Sequence, residues 1–376
     1  MTRRFNRSAA VQRLAWLDGL RLLAVVMILL YHAQQLFTRY AYTPQPTGLV
    51  SNLQQLIAGV GSLETLTGWV HLVGTPALFG FQFIDVLILL CGFSWTLTHR
   101  RHDPLGFWQK RLLRLLWPVW TIALLSYPVL WAMGTAASDD IPPLWNLFAA
   151  STYPLLFDYR GSLLLPISGS WWFIPLILSF TLCFPLLHGL MYRWGGRNLV
   201  GMALVITLGY RVLAIYLLGA QPPFTLTGSA GALPFYGLLA KLSTFVIGMV
   251  VAQAYKHGRG VLFWSQARAL RVGLMLYGVG FIGQFYRSGW VFCDVVAPLG
   301  LSLVGVVVCR WWTAAPWGRQ LALNLGKYGY SFFLIHHLVV DRTLGLVVEG
   351  NAVNYAIATP LMILAPRKIA CVPDRL

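Results

Sequence analysis

Apolar stretches of bilayer length recur along this chain, and that recurrence constrains its fold more than any single motif does. A helix needs about 20 apolar residues to cross the hydrocarbon core. Stretches that approach this length run over 20–38, 74–98, 115–134, 170–190, 199–219, 234–255, 271–287, 291–309, 329–348 and 352–365. The last is short, and 144–157 is shorter than a span and is expected to lie at the interface. Backbone in lipid must satisfy its own hydrogen bonds, so spans of this kind are helices. The expected fold is all-α: a polytopic transmembrane helix bundle of about ten spans.

Composition supports a membrane protein. Of the 376 residues 57% are hydrophobic and only 10% charged, and mean hydropathy is +0.66. A soluble domain carries roughly 25% charged residues. The expected organisation is a basic cytoplasmic tail over 1–19, a single membrane domain over 20–365 and a short cytoplasmic tail over 366–376. The basic N-terminus precedes an apolar stretch with no small-residue cleavage site, which reads as an uncleaved first span.

A net charge of +17 suggests nucleic acid until the charges are placed. They fall in short clusters between apolar segments, the positive-inside pattern and not a continuous basic surface. With the N-terminus inside, all of the 28 Lys and Arg fall in cytoplasmic segments except Arg39, Arg160, Arg211, Lys241, Arg287 and Arg342. The alternate loops hold Glu64, Asp139, Asp140, Asp158, Asp294 and Glu349. Both termini are therefore expected to be cytoplasmic. Cys91, Cys183, Cys293, Cys309 and Cys371 show no CxxC or Cys/His spacing, so neither a disulfide framework nor a zinc site is expected.

Charges inside the spans are costly to keep and point to function. In LAWLDGLRLLAVVMILLYHAQQLF, Arg21 and His32 are eleven positions apart. That is about 20° from a whole number of turns, so both lie on one face, separated by roughly 16 Å of helix rise. His32 could simply hydrogen-bond a neighbouring helix. Alternatively, desolvation and nearby cations favour the neutral ring that a general base needs. On the residues alone, catalysis and transport both stand.

The basic run THRRHDPLGFWQKRLLRLLWPVW opens the third span. Its Arg111 and Arg114, at i and i+3, share a face. They serve either as lipid-headgroup contacts or as a clamp for the phosphates of a CoA-type donor, which arginine forks bind bidentately. Asp85 in FQFIDVLILLCGF has no charged sequence neighbour, so Arg21 or His32 is its candidate partner unless it lies at the outer interface. The following Gly92 is a candidate for close helix contact. Arg211 and Lys241 either pair with acidic groups in the bundle and line the site or snorkel outward. His336 and His337 point about 100° apart, so they do not form a metal pair and only one can face a given site.

Together these stretches resemble acyltransferase family 3, membrane proteins that O-acylate bacterial surface and exported carbohydrates. LDGLRLLAVVMILLYHA is similar to the family's opening motif, with Arg21 and His32 in its Arg-x10-His places. FIDVLILLCGF resembles VDLFFVLSGF, with Cys91 in place of the usual Ser. FWQKRLLRLLWPVW places Arg111 and Arg114 in an Arg-x-x-Arg motif. GSWWFIPLILSFTLCFPLL and LGKYGYSFFLIHH resemble two later motifs, the second with His336 at its final position. The clearest departure is Ile177, where many members carry Glu.

The resemblance implies transfer of an acyl group, acetyl being expected, from cytoplasmic acyl-CoA to a hydroxyl of an extracytoplasmic glycan or glycoside. Acyl-CoA is then a donor substrate, and no permanently bound cofactor or metal is expected. The catalytic candidates are His32, Arg21 and Asp85, with His32 as general base or acyl carrier. Arg111 and Arg114 bind the donor, and Trp172, Arg211, Lys241 and His336 line the site. The partners are the lipid bilayer, acyl-CoA and a carbohydrate acceptor, and the location is the bacterial inner membrane. The competing class is a non-enzymatic carrier or flippase for a glycan or its lipid-linked precursor. Ile177 suggests a subgroup with another base or substrate, or a catalytically dead relative.

Overall fold

A computed structural model describes residues 14–39, 42–99, 104–132, 169–225, 229–347 and 351–364. Most of the expected N-terminal tail, the 144–157 segment and the C-terminal tail 366–376 lie outside the described residues, as does the side chain of His337. Within them the chain is helical and no strand occurs. The α-helices are α1 (Ala15–Phe37), α2 (Leu49–Val60), α3 (Leu66–Gly74), α4 (Phe83–Thr98), α5 (Pro104–Ala132), α6 (Phe173–Tyr216) and α7 (Ser229–Tyr236). They continue as α8 (Leu238–Lys256), α9 (Gln266–Gly283), α10 (Cys293–Trp312), α11 (Pro316–Leu325), α12 (Gly329–Val347) and α13 (Ala352–Leu364).

Among the described residues five helical runs are long and apolar enough to cross a membrane: Ala15–Phe37, Leu66–Thr98, Phe173–Tyr216, Pro234–Lys256 and Cys293–Trp312. One of them covers two of the expected spans. At 44 residues, α6 is roughly 66 Å of helix, about twice the thickness of a hydrocarbon core. Its backbone breaks at Gly195, with φ 79° and ψ 154°, a left-handed conformation that a Cβ disfavours. The runs before and after it, 173–194 and 196–216, are each roughly 32 Å long, one core thickness apiece.

Helix α1 is the hub of the bundle. It packs against α4, α10, α11, α12, α13 and the 3-10 turn Thr75–Gln82. Leu20, Ala24, Ile28, Leu29 and Ala33 along it are fully buried. A second axis is the tight pair α4 and α8. A Cβ at Gly92 would sit 2.2 Å from the carbonyl oxygen of Phe245, and one at Gly248 would sit 2.1 Å from that of Leu89. Only glycine permits this approach, the means by which membrane helices gain packing in place of a hydrophobic drive. Outside these spans, the segment before α2 is held by Asn52, whose side chain donates to the carbonyls of Gln45 and Gly48 and accepts from the Gln45 amide. Burial there pushes the Tyr42 phenol well above its usual value.

Candidate functional site

Among the described residues three clusters of polar side chains gather the charged and histidine groups of the bundle, and each is placed by the packing just described. The first gathers around Arg21. Its guanidinium donates to Asp18 Oδ1 at 2.7 Å, one turn back on α1, and to Ser94 Oγ on α4 at 2.5 Å. From α5, Arg111 donates to Thr98 Oγ1 at 3.1 Å and lies over the rings of Trp95 and Phe107. Arg21 and Arg114 both act on Arg111 as like charges. Arg21 and Arg111 both act electrostatically on Cys91 of α4. Three cations from two helices thus meet at one end of α4, with Asp18 paired to Arg21. Arg114 and Lys110 are exposed. Such a gathering favours a multiply charged anion.

The second cluster lies further along α1. Gly329, at the start of α12, would bring a Cβ within 3.9 Å of Arg21 Cβ. Seven residues on, the His336 ring lies 5.2 Å from that of His32, centroid to centroid. Arg21 and His32 therefore both face α12, as their spacing requires, and α1 and α12 run side by side in the same direction. His336 is fully buried, whereas His32 is only partly so. The His336 Nδ1 is hydrogen-bonded to the Phe333 carbonyl, and since a carbonyl can only accept, the neutral ring carries its proton on Nδ1 and its lone pair on Nε2. Tyr31 packs edge-on against His32 with centroids 5.0 Å apart. Trp172 stacks on Tyr236, at 4.3 Å. Its neighbour Trp171 is the one tied to α12, donating to the Leu334 carbonyl at 2.9 Å.

The third cluster is a buried quartet of charges. Lys241 Nζ donates to Asp85 Oδ2 at 2.9 Å and to Asp294 Oδ2 at 3.1 Å. Asp294 also accepts from Arg211 Nη1 at 3.1 Å. Arg211 also donates through Nε and Nη2 to the Trp290 carbonyl and lies over Phe235 at 4.7 Å. Two cations and two carboxylates leave the quartet formally neutral, the condition under which buried charge is tolerated. The register follows from the glycine crossing. Asp85 lies seven residues before Gly92 and Lys241 seven before Gly248, two turns back on each helix, so parallel helices bring the pair together.

The structure corrects two expectations. Asp85 pairs with Lys241, and not with Arg21 or His32, because the α4–α8 crossing determines which side chains meet. Asp294, expected in an outer loop, is part-buried in the first turn of α10, where it accepts from Arg211 and Lys241. Arg211 and Lys241 pair inside the bundle as one of their two readings required, which is why they stood outside the loop-charge pattern. Asp18, Ser94, Gln82, Gln284 and Asp294 were not singled out as site residues. Their signal was a polar residue at or within an apolar stretch. Ile177 is buried in the apolar core, so no carboxylate stands at that position. Among the described residues no group of His, Cys, Asp and Glu is arranged to hold a metal ion.

A family model described as an acyltransferase domain matches residues 14–366. Neither a curated protein nor a solved structure matches the chain.

Proposed function

The chain belongs to acyltransferase family 3, and from that premise we propose that it is a membrane O-acyltransferase moving an acetyl group from cytoplasmic acetyl-CoA to a hydroxyl of an extracytoplasmic glycan or glycoside. In this reading it is a multi-pass protein of the bacterial inner membrane with ten spans and both termini in the cytoplasm. The observation that carries the reading is the layout of α1. One end bears Arg21 within a cluster of cations, and the same face bears His32 beside His336, roughly 16 Å further along.

Arg111, Arg114 and Arg21 hold the phosphates of the donor at the cytoplasmic end, and its thioester arm enters the bundle towards His32. His32, the more accessible imidazole of the pair, takes the proton from the acceptor hydroxyl. The oxygen attacks the thioester carbonyl, the carbon–sulfur bond breaks, and the proton passes to the departing CoA thiolate. His336, buried and fixed by the Phe333 carbonyl, orients His32. Purified protein in liposomes with radiolabelled acetyl-CoA and an envelope glycan tests this. Label should appear on the glycan, and envelope glycans from cells lacking the protein should be lighter by one acyl unit. If the liposomes neither hydrolyse acetyl-CoA nor transfer its acyl group, yet move glycan across the bilayer, the protein is a carrier.

A further inference from the structure

Beside the charge quartet lies a small cleft that the transfer path does not use. Its walls include Phe81, Gln82, Asp85, Gln284, Asp294 and Ala297, and it has room for a hydroxyl-sized group. Gln82 Nε2 donates to Gln284 Oε1 at 3.1 Å across it. Of the eleven buried side-chain polar atoms without a hydrogen-bond partner among the described residues, three belong to this one lining: Gln82 Oε1, Asp85 Oδ1 and Gln284 Nε2. Gln82, Asp85 and Gln284 are each more than nine-tenths buried. Reversing both amides changes which glutamine donates, but one amide oxygen and one amide N–H group stay unpaired either way.

Buried polar groups are almost always satisfied, so three around one cleft mark a place built for a ligand group. The chemistry is specific. Two acceptors and a donor suit a hydroxyl, which both donates and accepts. An anion is rejected by Asp85 and Asp294, and a bare cation is opposed by Lys241 and by the amide N–H. Two successive ring contacts link the cleft to the histidine pair. The Phe81 ring packs against Tyr31 at 5.5 Å, and Tyr31 packs against His32.

We propose that Gln82, Gln284 and Asp85 form a specificity pocket that seats a non-reacting hydroxyl of a neutral sugar, holding the acceptor while a more distant hydroxyl of the same glycoside meets His32. This rests on the acyltransferase reading and names the acceptor class as uncharged glycoside. In the transfer reaction Gln82 and Gln284 are positioning residues.

The test compares wild type with the double variant Gln82→Leu/Gln284→Leu, which removes the amide pair while keeping its volume, and with Ala297→Val, which narrows the cleft. Both should raise the acceptor KM at least tenfold. The donor KM and acceptor-free acetyl-CoA hydrolysis should stay within twofold. An acceptor KM within twofold of wild type in either folded variant overturns the pocket. Sodium-dependent transfer that the variants abolish also overturns it, since the cleft would then hold a cation. Equilibrium dialysis of tritiated methyl hexosides, neutral against the uronate forms, separates this idea from the enzyme reading. Wild type should retain the neutral sugars and the variants should not. Sugar retention without acyl transfer leaves the pocket standing and removes the acyltransferase reading. Transfer with no wild-type retention of any neutral hexoside removes the pocket alone.

Discussion

Lys241 Nζ lies 2.9 Å from Asp85 Oδ2, joining two helices at positions 156 residues apart in sequence. Both side chains are nearly inaccessible, so neither charge can fall back on solvent when its partner is removed. Truncating one partner of a buried pair costs about 3–5 kcal/mol. Lys241→Met and Asp294→Asn should each lower the thermal unfolding midpoint in detergent. The double variant Lys241→Met/Asp85→Leu removes one charge of each sign, leaves Arg211 with Asp294, and should be closer to wild type than Lys241→Met alone. A double variant less stable than both of its single parents would contradict this account of the quartet.

The same pair depends on glycine. Gly92→Ala and Gly248→Ala each push a methyl group against a backbone carbonyl of the facing helix, and the backbone cannot step aside as a side chain can. Overpacking of this kind costs about 1–3 kcal/mol. Each variant should give less monodisperse protein on size exclusion. By contrast, Gly201→Ala, at an open position on α6, should behave as wild type.

The cation cluster predicts a donor effect. Arg111 makes one side-chain hydrogen bond, to Thr98, and its planar group is held over two rings, which leaves donors for a phosphate. Losing a charge-assisted hydrogen bond costs about 1.5–3 kcal/mol, so Arg111→Ala should raise the acetyl-CoA KM by roughly tenfold to a hundredfold. Arg111→Lys should recover little of it, since an ammonium offers no fork. Acceptor KM should not move in either variant. Steady-state kinetics with each substrate varied in turn decides the matter, and a change confined to the acceptor would place the phosphates elsewhere.

Much of the helical fold was legible because a bilayer leaves few choices: apolar runs of this length must be helices. The shared face on α1 was legible too, since the spacing of Arg21 and His32 alone puts them on one side, and α12 lies along it. What sequence could not supply was which helices cross closely. The partner of Asp85 follows from the contact of Gly92 with Phe245 and of Gly248 with Leu89, and nothing local in FIDVLILLCGF names α8. Asp294 was misread for a related reason. An aspartate at the first turn of an apolar helix looks like a loop charge until Arg211 and Lys241 arrive from two other helices. Gln82 and Gln284 were passed over because neutral amides leave no mark in a charge pattern, although a buried amide demands a partner as a charge does.

The histidine pair gives a prediction that separates two chemistries. His32 is partly exposed and His336 fully buried, so only His32 can meet an incoming hydroxyl without rearrangement. A positioned general base contributes about 10²–10⁴-fold to rate, and His32→Ala should lose that much in kcat while leaving the acetyl-CoA KM within twofold. His336→Ala should lose less, because it removes the ring that orients the base and not the base itself. Rapid-quench labelling with radioactive acetyl-CoA then asks whether the acyl group ever resides on the protein. Direct attack predicts none at His32 at any time before product appears. An acyl-imidazole that forms and decays at the rate of turnover would make His32 a carrier, with His336 Nε2 left as the nitrogen able to take the acceptor's proton.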